Sequence, residues 1–193
     1  MQAWSWLLLL LLPLAARGQE APPRVRLVTT QGNIVLELYP DKAPKTVANF
    51  LAYVKAGFYD GTIFHRVVPS FVIQGGGYDA QFAPRKTREP IENEATNGLS
   101  NKRGTVAMAR TSQVHSATSQ FFINLRDNLF LDHRDATPQG FGYCVFGRVV
   151  EGMEVVDAIA AIPTGPGGPF PGEVPQKPVV IFKAEVLASP PAR

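Results

Sequence analysis

One short stretch places polar side chains where a strand would ordinarily be apolar. Residues 64–77 read Phe-His-Arg-Val-Val-Pro-Ser-Phe-Val-Ile-Gln-Gly-Gly-Gly. Arg66 and Gln74 stand among aromatic and branched apolar residues, and Gln120 stands in a similar run, Gln120-Phe-Phe-Ile-Asn-Leu125. A guanidinium keeps its charge at any working pH and donates up to five hydrogen bonds, while a primary amide both donates and accepts. A packed core does not accept such groups without a partner or a purpose. With Phe71, Met108, Phe122, Phe130, Leu131 and Tyr143 they form an apolar set with a few polar members. Residue types alone leave two readings open: ordinary core with polar edges facing water, or an apolar pocket with a wet rim.

Other chemistries lack their residues. His65, His115 and His133 have no short metal-ligand spacing and no paired cysteines beside them. No Gly-x-Ser-x-Gly elbow, Walker loop or Gly-x-Gly-x-x-Gly is present. Gly75-Gly76-Gly77 reads as a turn signal, and Glu92 and Glu94 as solvated carboxylates in a loop. Cys144 is the one cysteine, so no intrachain disulfide forms; it sits in a strand-like run and reads as a buried, inert thiol. With 19 basic and 16 acidic residues the net charge is +3, and the small basic concentration at Arg85, Lys86 and Arg88 reads as a solvated loop, so nucleic acid is not expected as a partner.

The elements that must position these residues follow from periodicity. Val25–Thr30 and Ile34–Tyr39 alternate as a hairpin around Gln31-Gly32-Asn33. Pro44 suits a first helical turn, Val47, Phe50, Leu51 and Val54 recur at helical spacing, and Gly57 ends the helix. A strand pair over 63–74 comes next. Residues 75–103 read as a long surface loop tied down near Ile91 and Glu92, the kind of loop that is often functional. Strands are expected at 104–109, 120–125, 143–150 and 179–187, a second helix at 153–162, and a Pro/Gly-rich loop at 163–178. About eight short strands with two helices suggest a barrel or sandwich and disfavour a doubly wound parallel sheet.

The run from Phe64 to Gly76 resembles the signature of the cyclophilins, the peptidyl-prolyl cis-trans isomerases. Gly104–Ala109, Ser119–Ile123, Tyr143–Val149 and Ala43–Phe50 resemble further family segments, in family order, across nearly all of residues 25–187. The resemblance implies a mainly β fold, a closed eight-stranded antiparallel barrel capped by two helices, with no cofactor and no metal. It implies that Arg66 donates a hydrogen bond to the prolyl nitrogen as the X-Pro bond twists, that Gln74 holds Arg66 and contacts the substrate carbonyl, and that Phe71 completes the catalytic set. Phe71, Met108, Phe122 and Leu131 would form a floor for the proline ring, with Val72 beside them. Gln120 and the backbone of Ala109, Arg110 and Thr111 would align the peptide as an added strand, and Phe130 and Tyr143 would line the rim. His65 should point away from this chemistry, since strand neighbours face opposite sides.

Five positions depart from the better-known eukaryotic pattern. Phe130 replaces a common Trp, Tyr143 a His, Val72 a frequent Met, and Arg110-Thr111 a small or amide pair. The loss of an indole N–H implies weak cyclosporin binding. Gln139–Phe146 resembles the bacterial form of the family. Residues 1–18 read as a cleavable secretory signal: Leu7–Leu12 is apolar but too short to span a membrane, and Ala16 and Gly18 supply small residues at the cut. Together these imply a periplasmic isomerase domain over 25–188, with a loose segment at 19–24 and a tail at 189–193. It would be a monomer without stable membrane association, acting on proline-containing segments of exported polypeptides. Two other readings stay open: a proline-binding chaperone without turnover, and a structural envelope protein kept on an uncleaved anchor.

Overall fold

The computed structural model describes residues 21–188. The leader expected at 1–18 and the tail expected at 189–193 lie outside the described residues. β1 (Arg24–Thr29) and β2 (Gly32–Leu38) form the expected hairpin, with Val25, Leu27, Ile34, Leu36 and Leu38 buried. α1 (Pro44–Lys55) opens on its proline and buries Val47, Phe50 and Val54, as the spacing predicts. Its N-terminus has no side-chain cap from Ala43. The carboxylate of Glu94 does that work from the long loop, accepting from the Lys45 and Thr46 amides at 3.1 and 2.8 Å and from the Thr46 hydroxyl at 2.7 Å. An anion there satisfies free N–H groups and complements the helix dipole. Glu92 pairs with Lys45, and Ile91 bridges to Ala117. The loop is therefore tied down where expected, but Glu94 is a helix cap rather than a free carboxylate.

Then come β3 (Thr62–Ile63), β4 (Arg66–Val68), β5 (Val72–Gly75), β6 (Thr105–Met108), β7 (Phe121–Asn124), β8 (Val145–Glu151) and α2 (Met153–Ala160). β9 (Thr164–Gly167), β10 (Phe170–Pro175) and β11 (Val180–Leu187) complete the chain. Nine strands form one curled, wholly antiparallel sheet in the order β3-β11-β1-β2-β8-β6-β7-β5-β4. The expected ladder of eight strands is corrected on two counts: there are nine, and the order has two ends. Both ends are pieces of one segment, β3 and β4, parted by Phe64 and His65. β9 and β10 pair with each other as a separate hairpin inside the region expected to be loop. Their sequences, Thr-Gly-Pro-Gly and Phe-Pro-Gly-Glu-Val-Pro, lack the β-branched alternation by which strands are recognised.

Strand alternation sends Val67, Ile73, Val106, Met108, Phe121, Ile123 and Phe146 into the main core. Phe50 of α1 meets Phe121 edge-on at 5.5 Å and Phe146 at 5.1 Å, so the helix closes on the curled sheet through aromatic contacts. Cys144 is buried there, and burial pushes its thiol pKa up to about 11, as an inert thiol requires. No described helix is long and apolar enough to cross a membrane.

Candidate active site

The turn between β4 and β5 builds the site. Phe71 donates its amide to the Val68 carbonyl at 3.0 Å, with Pro69 and left-handed Ser70 (φ 59°) between them. This is a type II turn with proline at its favoured position. It fixes the register Val68↔Val72, Val67↔Ile73 and Arg66↔Gln74. Val67 and Ile73 face the core, so Arg66, Val72 and Gln74 face outward. Register then continues the outward row sideways: Gln74 opposes Phe122, Phe122 opposes Ala107, and Ala107 opposes Val145. Val72, Ala107, Phe122 and Val145 form a second apolar cluster on the outside of the sheet, with Phe71, Leu131 and Tyr143 packed against it.

Loops cover this outer cluster incompletely and leave a hollow of about 310 Å³. Arg66, Phe71, Val72, Gln74, Ala109, Arg110, Phe122, Leu131 and Tyr143 line it. The loop carrying Leu131 hangs on buried asparagines. Asn128 donates to the Phe71 carbonyl at 3.0 Å and to Asn124 at 2.9 Å, Asn124 donates to Asn101 at 3.2 Å, and Asn101 donates to Asp132 at 2.9 Å. Arg110 is locked by the carbonyls of Gly142, Pro138 and Thr111 at 3.0, 2.7 and 3.0 Å and lies over the Tyr143 ring at 4.8 Å. It walls the hollow and has few donors left for other work. Gln120 and Thr111 line a smaller adjoining hollow of about 190 Å³, which Gln74, Ala109 and Arg110 share. Phe130 lines neither hollow; it is 56% exposed and stacked on Phe71 at 5.8 Å.

Two expectations need correction. Met108 is not in the floor: it is 2% exposed and belongs to the main core. Alternation accounts for this, since Ala107 faces out and its neighbour must face in. Gln74 does not hold Arg66. Its amide donates to Gln120 at 3.0 Å, and Gly77 makes room, because a Cβ there would come within 2.6 Å of the Gln120 side chain. Arg66 instead donates its Nε–H to Glu173 of β10 at 2.6 Å, with its guanidinium carbon 5.9 Å from the Phe71 ring centre. Glu173 and the asparagine network were not foreseen; an acidic residue in a Pro/Gly-rich stretch carries no periodic signal.

His65 is absent from the 310 Å³ hollow but lines a separate cavity of about 490 Å³ beside it, which Arg66, Gln74, Tyr78, Gln120 and Glu173 also line. It falls in the break between β3 and β4, so simple alternation does not place it. Burial, and then the nearby Arg66 charge, lower its pKa to about 4.

The family model described as cyclophilin type peptidyl-prolyl cis-trans isomerase/CLD matches residues 24–186. The chain belongs to this family. The cyclophilin is 58% identical over 163 residues to a peptidyl-prolyl cis-trans isomerase of Streptomyces antibioticus, covering 84% of this chain and 98% of that one. It is 54% identical to peptidyl-prolyl cis-trans isomerase B of Escherichia coli strain K12, covering 82% and 96%. The crystal structure of a Cryptosporidium parvum cyclophilin-type isomerase in the presence of the dipeptide Ala-Pro superposes with a TM-score of 0.69 at 25% identity. It covers 86% of this chain and 99% of that one.

Proposed function

We propose that this cyclophilin speeds rotation about X-Pro bonds by gripping the proline ring in the 310 Å³ hollow and offering the Arg66 guanidinium to the prolyl nitrogen. The barrier is about 18–20 kcal/mol because rotation breaks amide conjugation. At the twisted geometry the nitrogen recovers its lone pair and becomes basic. A fixed cation that donates a hydrogen bond stabilises that state more than the planar ground state, with no covalent step. The observation that carries the reading is the outward row: Arg66 and Gln74 sit directly across from each other, next to Phe122 and Phe71, at the edge of an apolar hollow. A relative of the same fold was crystallised with Ala-Pro, which supports a prolyl occupant.

In this reading Phe71, Val72, Phe122 and Leu131 take the ring. Gln74 and Gln120, hydrogen-bonded to each other, present amides to the substrate backbone beside Ala109, Arg110 and Thr111. Phe130 and Tyr143 form the rim. The substrates are proline-containing segments of exported polypeptides, reached in the periplasm after removal of residues 1–18, and the enzyme works as a monomer. A protease-coupled assay with a proline-containing peptide tests the mechanism: Arg66→Ala should lower kcat/KM by about 10²–10³-fold. An unchanged rate would overturn the role of Arg66 and favour a binding protein that does not need it.

A further inference from the structure

The residue that orients Arg66 is not its cross-strand neighbour Gln74 but Glu173, delivered by the β9–β10 hairpin. We propose that Glu173 is a positioning residue for the isomerase reaction: it fixes the plane of the Arg66 guanidinium so that the remaining N–H groups face the prolyl nitrogen. The proposal rests on the catalytic role given to Arg66 above.

Four observations carry it. The Nε–H of Arg66 donates to the Glu173 carboxylate at 2.6 Å, and among the described residues neither Nη has a hydrogen-bond partner. A planar guanidinium engaged through Nε keeps two Nη groups aimed elsewhere in a fixed direction. Both side chains are well exposed, 36% and 50%, and exposed ion pairs contribute little to stability; holding the fold together is a poor account of this one. Glu173 also sits at φ +64°, where only two other non-glycine described residues, Ser70 and Phe82, have positive φ. A side-chain-bearing residue in that region is disfavoured and persists where its surroundings hold it.

The surroundings do hold it. Phe170 packs between His65 at 5.3 Å, Tyr78 at 5.1 Å and Phe82 at 6.2 Å, and Val174 is 4% exposed. The side chain of Phe82 lies against the Gly167–Gly168 turn, where a Cβ on Gly168 would come within 2.3 Å of it. Gln176 bonds back to the Pro166 and Val174 carbonyls. An aromatic clasp thus fixes the hairpin to the sheet on either side of Glu173. The hairpin also walls the 490 Å³ cavity that adjoins the proline hollow through Arg66 and Gln74.

The test is steady-state isomerisation by the purified chain carrying Glu173→Gln, Glu173→Asp, Glu173→Asn or Arg66→Ala, with thermal melting of each. Glu173→Gln should lower kcat by roughly tenfold, within what misplacing a reacting group costs, and change KM by less than about twofold. Glu173→Asp should fall between it and wild type. Glu173→Asn, better suited to positive φ, should melt no lower than wild type yet be as slow as Glu173→Gln; a merely structural glutamate cannot give that pair of results. Added to Arg66→Ala, Glu173→Gln should cause no further loss. Wild-type or faster turnover by Glu173→Gln, with Arg66→Ala inactive, overturns the positioning role alone. Full activity of Arg66→Ala overturns the mechanism on which it rests.

Discussion

Phe121 and Phe122 are adjacent residues with the same side chain, and the sheet sends them to opposite fates. Phe121 is fully buried in the main core, edge-on to Phe50 at 5.5 Å, Tyr59 at 5.6 Å and Phe64 at 6.0 Å. Phe122 is 4% exposed, nearly as buried, but lies on the outer face and lines the 310 Å³ hollow. Burial does not separate them; the cover does. Helix α1 fills the space over the inner face with well-packed rings. Loops hung from polar side chains cover the outer face and cannot fill it, because chain that bonds asparagines and carbonyls does not interdigitate like a helix. A site here is an outer face that the fold buries without filling.

That contrast predicts a split in mutational cost. Phe121→Ala should destabilise by about 3–5 kcal/mol, measured by urea unfolding, since it leaves a cavity among packed rings. Phe122→Ala should cost clearly less and should raise KM instead, because the hollow beside it already lacks neighbours. Equal stability losses would mean that the two faces are packed alike. Arg66→Ala reverses the pattern on the same outer row: an activity loss of about 2.7–4 kcal/mol in transition-state terms, against a stability change within about 0.5 kcal/mol. A large drop in melting temperature would show that the exposed pair with Glu173 holds the structure.

The inner face was legible in the residues, and the outer face only in part. Alternation in β1 and β2 and helical spacing in α1 locate one part of the main core, because period and burial coincide there. Arg66, Gln74 and Gln120 stand out because they are polar within apolar runs. The family resemblance supplied their grouping, which periodicity alone left open. What stayed hidden depends on contacts between distant parts of the chain. Glu173 reaches Arg66 across 107 positions, and Glu94 caps a helix 48 positions away, and neither has a local signature. Met108 was misplaced for the opposite reason: the period-2 rule, applied from Phe122 through its partner Ala107, turns it inward.

His65 lies between the two faces and gives the pH dependence. Its pKa of about 4 lies below the 6.5 of an exposed imidazole, mainly through burial. Between these values the unfolded chain takes up a proton that the folded chain refuses. Stability from this group is therefore intact above about pH 7, falls as pH drops toward 4, and then levels off. At pH 5 the loss should be about 2 kcal/mol relative to pH 7. His65→Phe, which keeps the packing against Tyr78 and Phe170, should flatten that slope in urea titrations at the two pH values. A slope that survives the substitution would place the titration elsewhere.

The smallest effect should come from the outermost ring. Phe130 is half exposed, stacks on Phe71 and contributes no polar group to the rim. A tryptophan there would keep the stack and add an indole N–H that can donate to a bound ligand. One added hydrogen bond contributes about 1 kcal/mol net, or roughly fivefold in affinity. Phe130→Trp should therefore tighten cyclosporin binding by about that factor from a weak starting point, by calorimetric titration, while peptide turnover changes by less than about twofold. Nanomolar binding by the unaltered chain would show that the rim donor is dispensable. A large change in turnover would move Phe130 from the rim into the floor.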